Sequence, residues 1–327
     1  MRRREFIAAI GGAALAVPRM ARAQDPIRRI CALMAYAEGD AEGQAYITSF
    51  RDGLKNLGWS EGRNLRIDHR WPGVDLTALQ RSAKELVSLQ PESILAANTP
   101  TTAALLRETR SIPIVFAAAA DPIGSGFVAS YPRPGGNVTG FTVLEGSIGG
   151  KWLELLKEIA PRVNRVAFLF NPGTAPFEYF LTPFKAAAAS LKVQAIEGPV
   201  RDRSELEGVI AAHAREPDGG LVVMPGPFAA AHRVEIISLA ARYRLPAMYP
   251  YRYFSSLGGL LSYGNDVSDN FRRAASYVDR ILKGAKPNEL PVQAPVKFDL
   301  VINLKTARAL SLDVPVLFQQ RADEVIE

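Results

Sequence analysis

Short apolar runs separated by segments of helical periodicity constrain the fold of this chain more than any other feature of its sequence. Residues 30–35 (ICALMA) form an unbroken apolar run behind Arg28 and Arg29. An apolar run of that length without alternation marks a strand buried on both faces. In residues 45–57, Phe50, Leu54 and Leu57 recur at helical spacing, and Gly58 supplies the stop. Strands are predicted again at 65–71, 93–97 and 112–117, with helices at 76–89 and 101–110 between them. The order βαβαβαβ predicts a parallel sheet with helices on both faces.

A Gly/Pro-rich stretch at 131–140 (YPRPGGNVTG) interrupts the pattern, which then restarts. Helices are predicted at 152–159, 184–191, 204–214 and 232–243, and strands at 165–170, 193–197, 220–224 and 246–249. A strand at 259–263, an amphipathic helix at 270–283 closed by Gly284, a strand at 295–302 and a helix at 305–310 complete the chain. With 327 residues, 48% hydrophobic and 22% charged, the chain has the size and balance of two soluble globular domains. The fold class expected is α/β, as two Rossmann-like units in tandem.

The formal charge of +6 is unevenly placed. Residues 1–23 hold five arginines against one glutamate, whereas the other 304 residues carry 34 Lys and Arg against 32 Asp and Glu. A surface that tracks phosphates needs a concentrated basic patch, so a nucleic-acid partner is not expected. The first 23 residues have the form of a secretory signal: Arg2–Arg4, an apolar stretch at 7–17, and Ala21-Arg22-Ala23 as a cleavage site. Arg3-Arg4-Glu5-Phe6-Ile7 also resembles the twin-arginine export signal. Eleven apolar residues are too few to span a bilayer, which takes about 20. A soluble periplasmic protein beginning near Gln24 is expected.

Ligands of open parallel sheets bind beyond the carboxyl ends of the strands. After the third predicted strand, Asn98, Thr99, Thr101 and Thr102 bring an amide and hydroxyls to a helix N-terminus. Such a terminus suits a carboxylate, and the same residues suit helix capping. Asp121 ends the fourth strand, where it suits either a ligand ammonium or a cap. In the second unit the corresponding loops hold Asn171, Thr174, Phe177 and Glu178, and Pro225, Gly226 and Phe228. Small residues there admit close backbone approach, and Phe177, Phe228 or Tyr251 could pack on an apolar group or in the core. Asp266, near a predicted crossing between the units, completes the candidate ligand residues.

Catalytic patterns are missing. The chain has no strand-linked GxGxxG, Walker A, GxSxG or HExxH pattern. Cys31 is the single cysteine, inside the first strand, which excludes an intrachain disulfide and any CxxC site. His69, His213 and His232 fall at no metal-ligand spacing. No catalytic residue, metal or cofactor is expected.

Several segments in combination resemble the periplasmic substrate-binding proteins of ABC transporters, in the tryptophan/tyrosine-binding group with the two-lobed type I fold. They are FRDGLKNLGWSEGR at 50–63, IPIVFAAAAD at 112–121, RPGGNVTG at 133–140, GGLLSYG at 258–264, RAASYVDRILKGAKP at 273–287, FDLVINLKTARAL at 298–310 and RADEVIE at 321–327. The resemblance covers nearly the whole mature chain. It implies three hinge crossings, near 139–144, 263–267 and 290–295. It assigns 24–143 with 266–290 to one lobe, and 144–265 with 291–327 to the other. Helix 270–283 would then pack on the first lobe. Family members bind aromatic amino acids through the loop matching residues 98–102, with the loops matching Asp121, 171–178 and 225–228 at the cleft. This chain has PGPF at 225–228, where a more polar loop with Asp or Asn is expected. The implied function is hinge closure on a small ligand, an aromatic or other amino acid or an aromatic carboxylate, and its delivery by a monomer to an ABC permease. Two other classes fit the same fold. An exported enzyme is opposed by the missing catalytic patterns, and a ligand sensor differs only in its partner.

Overall fold

A computed structural model describes residues 27–327; the signal segment expected at 1–23 lies outside them. The first sheet begins with β1 (Arg28–Leu33), α1 (Ala41–Asn56), β2 (Leu65–Arg70), α2 (Leu76–Ser88) and β3 (Ser93–Ala96). It ends with α3 (Thr99–Glu108), β4 (Ile114–Ala119) and β5 (Val138–Thr142). The chain then crosses to α4 (Ile148–Ile159), β6 (Arg165–Phe170), α5 (Glu178–Ser190), β7 (Gln194–Pro199), α6 (Arg203–Ala214) and β8 (Gly219–Val223). Short helices α7 (Pro227–Ala231) and α9 (Arg252–Ser256) flank α8 (Arg233–Arg242) and β9 (Ala247–Tyr249), and β10 (Leu261–Gly264) follows. Last come α10 (Val267–Leu282), a 3-10 turn at Pro287–Glu289, β11 (Asp299–Asn303), α11 (Leu304–Ala309), α12 (Val316–Gln320) and β12 (Glu324–Ile326).

The first sheet has the order β2-β1-β3-β4-β5, all parallel. The second has the order β12-β11-β10-β9-β8-β6-β7. Its stretch β7-β6-β8-β9-β10 repeats the arrangement of the first sheet. In each, consecutive strands run outward on both sides of one strand, so the order reverses beside β1 and again beside β6. One pair, β10–β11, is antiparallel, unlike the all-parallel sheet expected. β11 enters the second sheet only after the chain has visited the first lobe, so it runs from the hinge where β10 runs toward it.

The continuous apolar strands are explained by two-sided burial. Ile30, Ala32 and Met34 face one core layer and Cys31, Leu33 and Ala35 the other, all at 2% exposure or less. Burial pushes the Cys31 thiol up to about 12, so it packs as a small apolar group.

α10 leaves the second sheet after β10 and packs on α1 and the first sheet. Gly53 on α1 makes that approach possible, since a Cβ there would stand 2.7 Å from the Ala275 Cβ and 2.8 Å from the Arg272 carbonyl oxygen. Phe271 stacks on Tyr46 with ring centroids 5.2 Å apart. Trp59 Nε1 donates to Asp279 Oδ1 at 2.8 Å, and Asn270 Nδ2 donates to the Thr142 carbonyl at 3.0 Å. Three passages connect the sheets: between Thr142 and Ile148, between Gly264 and Val267, and between the 3-10 turn and Asp299.

Candidate functional site

Where strand order reverses, the loops leaving neighbouring strands diverge and open a crevice. The first lobe's crevice lies between the loops after β1 and β3, which carry Tyr36 and Asn98. The second lobe's lies between the loops after β6 and β8, which carry Thr174 and Pro225. The two crevices face each other. One narrow space between the lobes is lined by Tyr36, Asn98, Thr99, Thr174, Gly226 and Tyr251, among others. It measures about 30 Å3, room for a water or two; an aromatic ring needs a space on the order of 150 Å3. A wider space of about 550 Å3 opens at the mouth, between Val74 and Leu76 of the first lobe and Asn171–Thr174, Arg201–Arg203, Phe228 and His232 of the second. An aromatic ligand therefore reaches the inner space only if the lobes separate.

Each loop is held by its own hydrogen bonds. Asn98 Oδ1 caps α3 by accepting from Thr101 N, and Thr101 Oγ1 accepts from Asn98 N at 2.8 Å. The Thr102 hydroxyl donates to the Asn98 carbonyl at 2.8 Å. Thr99 Oγ1 accepts the Ala120 N–H at 2.8 Å and ties the α3 start to the end of β4. In the second lobe, Asn171 Oδ1 accepts from Gly173 N and its Nδ2 donates to the Arg201 carbonyl, both at 2.9 Å. Phe228 packs on His232 with ring centroids 4.6 Å apart, and burial lowers the His232 imidazole below its usual range.

The structure thus brings Asn98, Thr99, Thr174, Pro225, Gly226 and Tyr251 to the inner space, and Asn171, Thr174 and Phe228 to its mouth. Six other candidates stand elsewhere, each for a local reason. Thr101 and Thr102 are fully buried, with their hydroxyls committed to Asn98. Asp121, at φ +41°, turns back so that its Oδ1 accepts from Gly124 N at 2.9 Å. Phe177 stacks on Phe170 at 4.4 Å. Glu178 opens α5, where a carboxylate suits the helix dipole. Asp266 caps α10 by accepting from Ser268 N at 2.8 Å and lines other cavities.

Tyr36 and the Asp40–Arg233 pair escaped sequence reasoning. Tyr36 sits just past the apolar run of β1, so the strand-end rule contained the signal. Arg233 Nη1 meets Asp40 Oδ2 at 2.6 Å, with the two side chains 15% and 12% exposed. Their separation of 193 positions left no sequence signal. The described residues hold no group of three or more His, Cys, Asp or Glu side chains that could hold a metal ion. No helix among them is long and apolar enough to cross a membrane.

Two facing α/β lobes with three connections and a site between them define a ligand-capturing protein of the type I periplasmic binding fold. Over residues 31–326 the chain matches the family model for the ABC transporter substrate binding protein, and it belongs to that family. It is 26% identical over 264 residues to a tyrosine-binding protein of Clostridioides difficile (strain R20291), covering 80% of this chain and 75% of that one. A conserved domain protein from Vibrio cholerae superposes with a TM-score of 0.86 at 28% identity, covering 91% of this chain and 99% of the other. An ABC domain from Streptococcus pneumonia in complex with L-Trp superposes with a TM-score of 0.85 at 24% identity, again covering 91% and 99%.

Proposed function

We propose that this chain is the exported receptor of an ABC importer, a monomer that closes its lobes on a small amino acid or carboxylate and presents the closed form to a permease. The observation that carries the reading is the narrow space walled by the strand-end loops of both sheets, with Asp40 and Arg233 joined between the lobes and Arg233 also holding the Ala230 carbonyl of that wall. A ligand that touches both walls favours closure by its differential affinity for the closed state. Burying 150–250 Å2 of an aromatic ligand at roughly 25 cal/mol/Å2 contributes about 4–6 kcal/mol. Charge-assisted hydrogen bonds add about 1.5–3 kcal/mol each. Micromolar binding needs about 8 kcal/mol, which leaves a margin for the cost of association and closure.

The test is small-angle X-ray scattering and thermal melting of the mature chain against amino acids and carboxylates. A ligand at 100 times its dissociation constant adds about 2.7 kcal/mol of stability, and the radius of gyration should fall with the rise in midpoint. A panel that raises the midpoint with no compaction would contradict closure. For export, the chain recovered from a periplasmic extract should begin near Gln24. Recovery from that fraction with Met1 intact would refute the cleavage.

A further inference from the structure

The inner space is unusual in what its walls lack. None of the residues lining it carries a charged side chain. The acids around it are engaged or lie apart. Asp40 pairs with Arg233, and Asp121 caps its own turn. Glu42 and Asp266 line a separate cavity of about 320 Å3 on the far side of Tyr251 and Val267. At the mouth, Asp202 accepts from Ser204 N at 2.8 Å and stands between Arg201 and Arg203. An α-ammonium group entering the inner space would have three N–H donors and no carboxylate to receive them, a costly burial for an unpaired ion.

The same walls are rich in donors. α3 is ten residues long; Pro100 has no N–H, and Thr101 N and Thr102 N donate to Asn98, which leaves the Thr99 N–H as the free donor of its first turn. Thr99, the first residue of α3, uses its hydroxyl oxygen to accept from Ala120, which leaves the O–H proton to donate. Independently, Asn98 is 6% exposed, lines the space, and its Nδ2 has no hydrogen-bond partner. A buried amide nitrogen with no acceptor calls for one. Donors without acceptors, at the positive end of a helix and away from free acids, are the chemistry of a site for a carboxylate.

We infer that the cleft takes carboxylates that lack an α-ammonium group, in preference to α-amino acids of the same skeleton. The inference rests on the receptor reading above and names its ligand class. The discrimination comes from two features: the Asn98–Thr99 donors, and the Pro225–Pro227 wall, which offers no carboxylate opposite them.

Isothermal titration of the mature chain against three matched pairs tests this: L-tyrosine with 3-(4-hydroxyphenyl)propionate, L-tryptophan with indole-3-propionate, and L-alanine with propionate. Within each pair only the ammonium differs. In at least one pair the deaminated acid should bind at least about 100-fold more tightly than the amino acid, the cost of an unpaired buried charge being large. Thr99→Val should weaken that acid about tenfold, and Pro227→Asp should raise affinity for the amino acid of the same pair. An amino acid that binds as tightly as its partner, or no response from any of the six, overturns the ligand class. Scattering on the same samples separates this from the receptor reading. Compaction by an amino acid would overturn the class and leave the receptor standing. Binding of an acid without compaction, unchanged in Thr99→Val, would overturn both.

Discussion

Asp40 and Arg233 form an ion pair between the lobes, with Nη1 and Oδ2 2.6 Å apart. Asp40 precedes α1 on the first lobe, and its other oxygen caps that helix by accepting from Gly43 N at 2.9 Å. Arg233 opens α8 on the second lobe and also donates to the Ala230 carbonyl at 2.7 Å, on the wall of the inner space. The pair therefore joins the start of one lobe's helix to the wall of the inner space on the other. It exists only while the lobes are together.

Removing Arg233 should for that reason act on closure more than on folding. With both side chains at least 85% buried, breaking the pair from one side costs the closed form up to about 3–5 kcal/mol. Arg233→Met is expected to keep a melting midpoint close to that of the parent. Its ligand-free radius of gyration should rise, and its ligand affinity should fall tenfold or more, tenfold being about 1.4 kcal/mol. Asp40→Asn retains the helix cap, so the double variant should be little worse than Arg233→Met alone. Additive losses in affinity would show that the two residues act separately.

Thr99 and Thr101 are neighbours in sequence with different tasks. Thr101 is fully buried and holds the cap of α3, whereas Thr99 lines the inner space. Thr101→Val should cost stability by about 1–2 kcal/mol, or roughly 2–4 °C for each kcal/mol, with ligand affinity nearly unchanged. Thr99→Val should lower ligand affinity, and because it also strips the Ala120 N–H of its acceptor it should cost about 1–3 kcal/mol of stability as well. Chemical denaturation and titration of both variants make the comparison, and a loss of affinity confined to Thr101→Val would refute the assignment.

Much of this architecture is legible in the sequence because parallel strands buried on both faces are continuous apolar runs and their helices carry a regular stripe. Ile30–Ala35 and Arg165–Phe170 are plain for that reason. β5 is not, because Val138–Thr142 has only Val138 and Phe141 as large apolar residues and follows a Gly/Pro-rich stretch. Three-residue β12 is similarly faint. At the site, the strand-end rule located the loops of Asn98, Thr174 and Pro225. It could not tell a hydroxyl that lines a cavity from one that caps a helix, since Thr99 and Thr101 read alike until Asn98 is seen to bond the latter. Nor could it show that Asp121 turns away, which depends on the positive φ of a single residue.

The packing of α10 on the first lobe depends on an absent side chain. Gly53→Ala would put a Cβ within 2.8 Å of both the Ala275 Cβ and the Arg272 carbonyl oxygen. The backbone oxygen cannot swing aside, so α1 and α10 must separate. Overpacking of this kind costs about 1–3 kcal/mol. Urea denaturation should show that loss, and hydrogen exchange should show α10 less protected while α8, in the other lobe, is unaffected. A variant of parental stability would mean that the two helices adjust without penalty.

His213 gives the fold a pH dependence that can be read from its surroundings. It is 5% exposed, with Nε2 2.9 Å from the Gly220 carbonyl oxygen, so that nitrogen donates; Nδ1 has no partner. Burial lowers its pKa below the usual 6.5, outweighing the hydrogen bond to Gly220. Below that ordinary value the unfolded chain takes up a proton that the folded chain refuses, so stability rises with pH in that window. The contribution is complete above 6.5 and is lost as pH falls toward the lowered folded value. One such group changes stability by at most about 1.4 kcal/mol per pH unit. His213→Gln keeps a donor for Gly220 without titrating, so between pH 7.5 and 5.5 it should lose less stability than the parent. His232, lowered in the same direction by burial, should preserve part of the slope. Urea unfolding at the two pH values measures the difference, and a variant that loses as much as the parent, or more, would show that His213 is not the group responsible.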